Sequence, residues 1–186
     1  MKKFFFLLLM ASIANATLAQ NTKDSTDGRF HDNLLDHLVG TWNVSSVAHG
    51  FPSTGVITAK WVLNHQFFHL HFKGNEIIPW WQMPMEYQEF FGYNSKAKRY
   101  TAHGMSIEGD ADPSEGFAYG YRNGNELKTI AKTGSDTSMI QRFVWQPATA
   151  TWMITSTMAI GEKEANEVFL EMKLVAASTA SIKQVH

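Results

Sequence analysis

The sequence predicts an all-β domain, a single antiparallel up-and-down β-barrel of about ten strands with a short helix at its start. Three observations carry this. Segments of roughly five to ten residues, rich in Val, Ile, Thr and aromatic side chains, follow one another between turn residues, a spacing typical of barrels and sandwiches. Most gaps between them are short enough for sequential hairpins, which favours a meander. Gly40-Thr41-Trp42 heads the series, directly after a short amphipathic segment.

The chain opens with Met1-Lys2-Lys3, an apolar run over residues 4–10, and small residues around Ala16 and Ala19. That order is expected of a secretory signal peptide, residues 1–19, with cleavage after Ala19 and Ala16 as the second choice. The apolar run is too short for a transmembrane segment, which needs roughly 20 residues, and no second run follows. With no cysteine in the chain there is no disulfide, no thiolate zinc site and no lipid-bearing cysteine at the cleavage point. The expectation is an exported protein, periplasmic or extracellular and not lipid-anchored. Removing Lys2 and Lys3 from the 16 basic residues leaves 14 against 17 acidic ones, a formal charge of −3. Such a balance offers nothing to a nucleic acid.

Residues 20–29 are polar and read as a flexible leader, residues 30–176 as one barrel domain, and residues 177–186 as a tail. Within 31–39, Leu34, Leu35, Leu38 and Val39 recur at helical spacing, Asp32 or Asn33 can cap the start, and Gly40 supplies the stop. Strands are expected over 41–48, 55–63, 67–73, 85–93, 99–107, 116–122, 126–132, 139–146, 151–160 and 166–175. Asn123-Gly124-Asn125 and the stretch 94–98 are hairpin turns in composition. Two connections are longer, 74–84 and 108–115, and long loops on a rigid scaffold are where function tends to sit. A two-sheet sandwich shares most of this pattern.

Leu38-Val39-Gly40-Thr41-Trp42, then Trp61-Val62-Leu63 ahead of Phe67-Phe68, then Gly92-Tyr93-Asn94 followed by Arg99-Tyr100, together resemble a group of secreted bacterial proteins of unknown function with a lipocalin-like barrel. Members look like distant relatives of the lipocalins, fatty-acid-binding proteins and nitrobindins, the calycin type of barrel. The resemblance spans residues 30–175 and implies a fold more than an activity. It implies that Trp42, with Gly40 before it, packs structurally across the closed end beneath a cavity, a role that suits a ring able to bury ~150–250 Å². It also implies where a haem-binding cousin would carry its axial histidine, on the last strand. That strand, 166–175, has none, and Met172 shares its apolar period-two face, so haem is disfavoured.

His69 and His71 lie two apart on one expected strand and point to one face, with His103 two strands on and Glu86 and Glu89 on the strand between. Facing inward, they would supply polar contacts to a ligand, or three nitrogen and oxygen donors to a divalent ion with an open position for water. Alternation with Phe68, Leu70 and Phe72 favours the opposite arrangement, with the imidazoles outside in water. On the next strand Met85, Tyr87, Glu89, Phe91 and Tyr93 share the more apolar face. A solvated Glu89 is the ordinary outcome for a strand of this kind. A Glu89 buried among those aromatics would have its pKa raised and be poised for proton transfer or for a polar ligand head.

The run Ile77-Ile78-Pro79-Trp80-Trp81-Gln82-Met83-Pro84-Met85 places two adjacent tryptophans in an expected loop, where they pack on the barrel rim, form a lid or lip over an apolar cavity, or meet a partner or a membrane surface. The acidic loop 108–115 lacks calcium-loop spacing and contains Pro113, so it reads as a solvated turn. No nucleophile elbow, phosphate loop or zinc-protease motif occurs. The expected function is an exported binding protein holding a small, mainly apolar molecule. Its contacts would be Trp80, Trp81 and Met83 at the mouth, Tyr87, Glu89 and Phe91 along one wall, and His69, His71 and His103 as polar groups. The alternatives are a small enzyme using those histidines with Glu89, by acid-base or metal-assisted chemistry, and an interaction module that self-associates, for example as a homodimer.

Overall fold

The computed structural model describes residues 29–107 and 116–178. The expected signal peptide, most of the leader, the acidic loop and all but the first residues of the tail lie outside the described residues.

Ten strands follow a single helical turn, α1 (Asn33–Asp36): β1 (Gly40–Ala48), β2 (Phe51–Val62), β3 (Phe67–Ile78), β4 (Met83–Asn94), β5 (Arg99–Ser106), β6 (Phe117–Asn123), β7 (Glu126–Lys132), β8 (Thr137–Gln146), β9 (Thr151–Ile160) and β10 (Lys163–Ala176). Each pairs antiparallel with the next, and β10 returns to pair with β1 from Trp42↔Ala176 to Ala48↔Leu170. The sheet is therefore a closed up-and-down barrel, not a sandwich, and closure leaves no unpaired edge.

The expected short helix is a single turn: Asp32 Oδ1 caps Leu34 and Leu35 N–H at 2.7 and 3.1 Å, after which i→i−3 bonds from His37 and Leu38 tighten the chain into β1. Its two leucines, Leu34 and Leu35, and Leu38 just beyond it are buried. One connection differs from expectation. The loop expected over 74–84 is mostly strand. β3 and β4 resume pairing at Ile77↔Pro84 after a register shift beyond Lys73, and Glu76 reaches back to accept from Thr54 N–H (2.6 Å) and Oγ1 (2.8 Å) on β2. Only residues 79–82 remain as a turn.

At one end the barrel is solid. Trp42, Phe68, Phe91, Tyr100, Phe143 and Trp152 are buried there against Leu34, Leu35 and Leu38. Trp42 Nε1 donates to the Leu38 carbonyl at 2.8 Å and Trp152 Nε1 to the His37 carbonyl at 3.3 Å, tying the helical segment to the floor. Trp42 is buried in this floor, 5% exposed. Gly40 adopts φ +132°, a conformation that a Cβ disfavours, exactly where the chain leaves the plug and enters β1. Among the described residues no helix is long and apolar enough to cross a membrane.

Candidate ligand-binding cavity

Above this floor the inner face changes from large side chains to small ones. Ser46 and Ala48 on β1, Ser53 on β2, Gly104 and Ser106 on β5, Ala118 on β6, Thr129 and Ala131 on β7 and Ser156 on β9 all line open space. Ala102, Ala118 and Ala131 are consecutive cross-strand partners, so three neighbouring strands each present only a methyl group at one level. The result is a cavity of about 690 Å³, within the ~300–1,000 Å³ usual for small-molecule sites. Ile57, Leu70, Phe72, Phe143, Ile154 and Met172 supply its apolar walls.

The mouth is at the end where β3 turns into β4. Trp80 and Trp81 line the cavity there together with His49, from the β1–β2 turn, and Phe169 of β10. His49 stacks on Phe169 at 5.4 Å, and Trp80 meets His49, Phe51 and Trp81 edge to face at 6.1, 5.9 and 5.8 Å. Trp80 is still 48% exposed, so the rim is aromatic and accessible.

Polar groups inside are few. Thr129, Gln141 and Ser156 occupy one rung across β7, β8 and β9, and Ser46 and Ser53 share a 2.7 Å hydrogen bond. Glu89 is the charged exception. It is 3% exposed, its Oε2 has no hydrogen-bond partner, and it lines the cavity from β4. Desolvation pushes its carboxyl up to about 7, only partly opposed by a hydrogen bond from the Tyr87 hydroxyl. Burial, and then the neighbouring Glu89, holds the Tyr87 hydroxyl well above the usual tyrosine range. The Tyr87 ring lies over Gly104: a Cβ there would stand 2.8 Å from the hydroxyl oxygen, so the glycine makes the room in which the phenol reaches Glu89. Ser156, whose buried Oγ also lacks a partner, is on β9, five strands from β4 in either direction round the ring and hence on the opposite wall.

The sequence-predicted residues divide cleanly. Trp80, Trp81, Tyr87 and Glu89 line the cavity, and Phe91 is fully buried beneath it on the same face. Met83 is exposed and does not line it. His69, His71 and His103 are on the outer surface, because Phe68, Leu70, Phe72 and Ala102 take the inward positions of the same strands. His69 Nε2 hydrogen-bonds Gln88 at 3.0 Å and its ring stacks on Phe90, while His71 Nε2 meets Glu86 at 2.6 Å and holds that carboxyl below its usual range. Phe90 separates His69 from His103, which stacks on Phe117 at 4.3 Å. The three imidazoles do not converge, and among the described residues no three His, Asp or Glu side chains are grouped to hold a metal ion.

Sequence reasoning missed His49, Phe169, Thr129, Gln141, Ser156 and the small-residue wall. A signal existed for the last of these, since Ser46/Ala48, Gly104/Ser106 and Thr129/Ala131 are small residues at period two in mouth-side halves of strands whose floor halves carry Trp42, Tyr100 and Leu127. In comparisons with family models and with curated proteins, the chain matches none.

Proposed function

We propose that this protein is an exported carrier with a lipocalin-like barrel, holding one small, mainly apolar molecule in its cavity. The observation that carries the proposal is the change from a ring-filled floor to a wall of Ala, Ser, Thr and Gly, which leaves a mainly apolar cavity of about 690 Å³. A chain selected only for a stable barrel gains by filling such space, because voids forfeit dispersion contacts. The aromatic rim at Trp80, Trp81, His49 and Phe169 supplies an entrance of matching chemistry.

Ala118→Trp tests this, since its indole would occupy the cavity from the middle of the alanine row. Delipidated protein should bind an environment-sensitive apolar fluorophore, and the variant, with an unchanged far-UV circular dichroism spectrum, should bind it at least ~10-fold more weakly. Failure of the wild type to bind apolar probes of any shape would exclude a carrier role.

One observation favours a second reading, acid-base chemistry on a small substrate. Burial pushes the Glu89 carboxyl up to about 7, within reach of the Tyr87 hydroxyl on the cavity wall. The histidines assigned to that chemistry from the sequence face outward, so Glu89 alone would have to serve as its base.

A further inference from the structure

Resting on the carrier role proposed above, we infer that the ligand has a basic nitrogen at one end of its apolar body, and that this ammonium head is held by the Glu89 carboxylate with the Tyr87 ring beside it. The geometry points there because Glu89 lines the cavity and is a buried acceptor, one of whose oxygens no donor of the fold satisfies. The elements around it bring no cation. Leu70 and Phe72 face inward from β3, Tyr87 and Phe91 from β4, Gly104 from β5, and Thr129, Gln141 and Ser156 from the β7–β9 rung. Among the described residues Tyr87 is the one other titratable group at that depth; Lys132 and His49 belong to the rim.

A buried carboxylate without a countercharge is costly, and a charge-assisted hydrogen bond is the strongest means of offsetting it. A ligand carboxylate would instead meet a like charge. An alcohol could satisfy the free oxygen but not the charge. The ammonium group of an alkylamine supplies both, while its chain occupies the space between Ile57, Phe143 and Ile154. An ammonium needs the ionised carboxylate, so its affinity should rise with pH through the range in which Glu89 loses its proton and fall on acidification.

Decylamine, decan-1-ol and decanoate, equal in chain length, separate the head group from the cavity. In fluorophore displacement at about pH 8, decylamine should bind at least ~10-fold more tightly than decan-1-ol, and at about pH 5 that advantage should shrink to within ~3-fold. Glu89→Gln should abolish the advantage of the amine over the alcohol, and Tyr87→Phe should reduce it in part. The wild-type pH comparison needs no variant and so does not depend on either one folding. Equal binding of amine and alcohol, tightest binding of decanoate, or an advantage that survives Glu89→Gln would overturn the inference while decan-1-ol binding kept the carrier role intact. Displacement by none of the three would remove the carrier role and the inference with it.

Discussion

Arg122 of β6 donates to the Asp32 carboxylate at 2.9 Å, joining the cap of the helical turn to a strand ninety residues further along the chain. The same carboxylate caps Leu34 and Leu35 and accepts from the Tyr100 hydroxyl of β5. Asp32 is almost fully buried, so each of these donors replaces water that it has lost. Asp32→Ala would strand a phenol and two amides and remove the charged acceptor of the Arg122 guanidinium, which keeps Asn33 Oδ1 and the Gly124 carbonyl. The expected cost is about 3–5 kcal/mol, read as a fall in the urea midpoint. A loss below about 1 kcal/mol would mean that the pair behaves like an exposed one.

Glu89 sets a pH dependence of the opposite sign from the usual carboxylate. Its carboxyl titrates at about 7 in the fold against 4.5 unfolded, so the folded state holds the proton more tightly. The stability that this neutral form contributes is complete below pH 4.5 and is lost as pH rises through about 7, a difference of about 3 kcal/mol at 1.36 kcal/mol per unit. Glu164 does the reverse. A bidentate pair with Arg142 draws its pKa down to about 2, so its contribution is present above 4.5 and lost on acidification towards 2. The ligand-free protein should therefore be most stable at mildly acidic pH, and Glu89→Gln should remove the decline on the alkaline side. Urea denaturation of both proteins from about pH 4.5 to pH 8 checks this; parallel profiles would show that Glu89 is not desolvated.

Ser156 buries a hydroxyl with no partner on the wall opposite Glu89. An unmet buried hydrogen-bonding group costs roughly 1–3 kcal/mol, so Ser156→Ala should leave the empty barrel as stable as wild type or raise it by up to about 1 kcal/mol. A clear loss in chemical denaturation would mean that the hydroxyl has a partner in solution.

Trp80 bridges the rim by packing on both Phe51 and His49, yet remains half exposed. Trp80→Ala should change stability by no more than about 1 kcal/mol while raising the rates of ligand entry and exit by roughly 3–10-fold. Stopped-flow fluorescence gives both rates. If neither moves, ligands enter elsewhere.

Much of this architecture is legible in the sequence because β-strand period and turn chemistry are local. β4 is the clearest case: Met85, Tyr87, Glu89, Phe91 and Tyr93 form the more apolar face, and that face turns inward. β3 is harder, since both of its faces carry aromatic rings and only pairing with β2 and β4 puts the histidines outside. The stretch 74–84 reads as a loop because Gly74, Pro79 and Pro84 punctuate it, whereas the register shift lets both strands continue past the interruption. Asp32, Tyr100 and Arg122 stand 68 and 90 residues apart, and nothing local to any of them announces the others. The cavity is the least legible feature, since emptiness arises from what several distant strands omit at the same height.

The pairing of β1 with β10 has a further consequence, for the order in which the molecule can form. Its first and last strands are neighbours, so no partial chain emerging from synthesis can complete the ring. Until β10 arrives, the preceding nine strands have two raw margins, one on β1 and one on β9, each able to recruit a stranger. Assembly should accordingly be slow and all-or-none, and loss of the C-terminal strand should yield insoluble material rather than a smaller folded product.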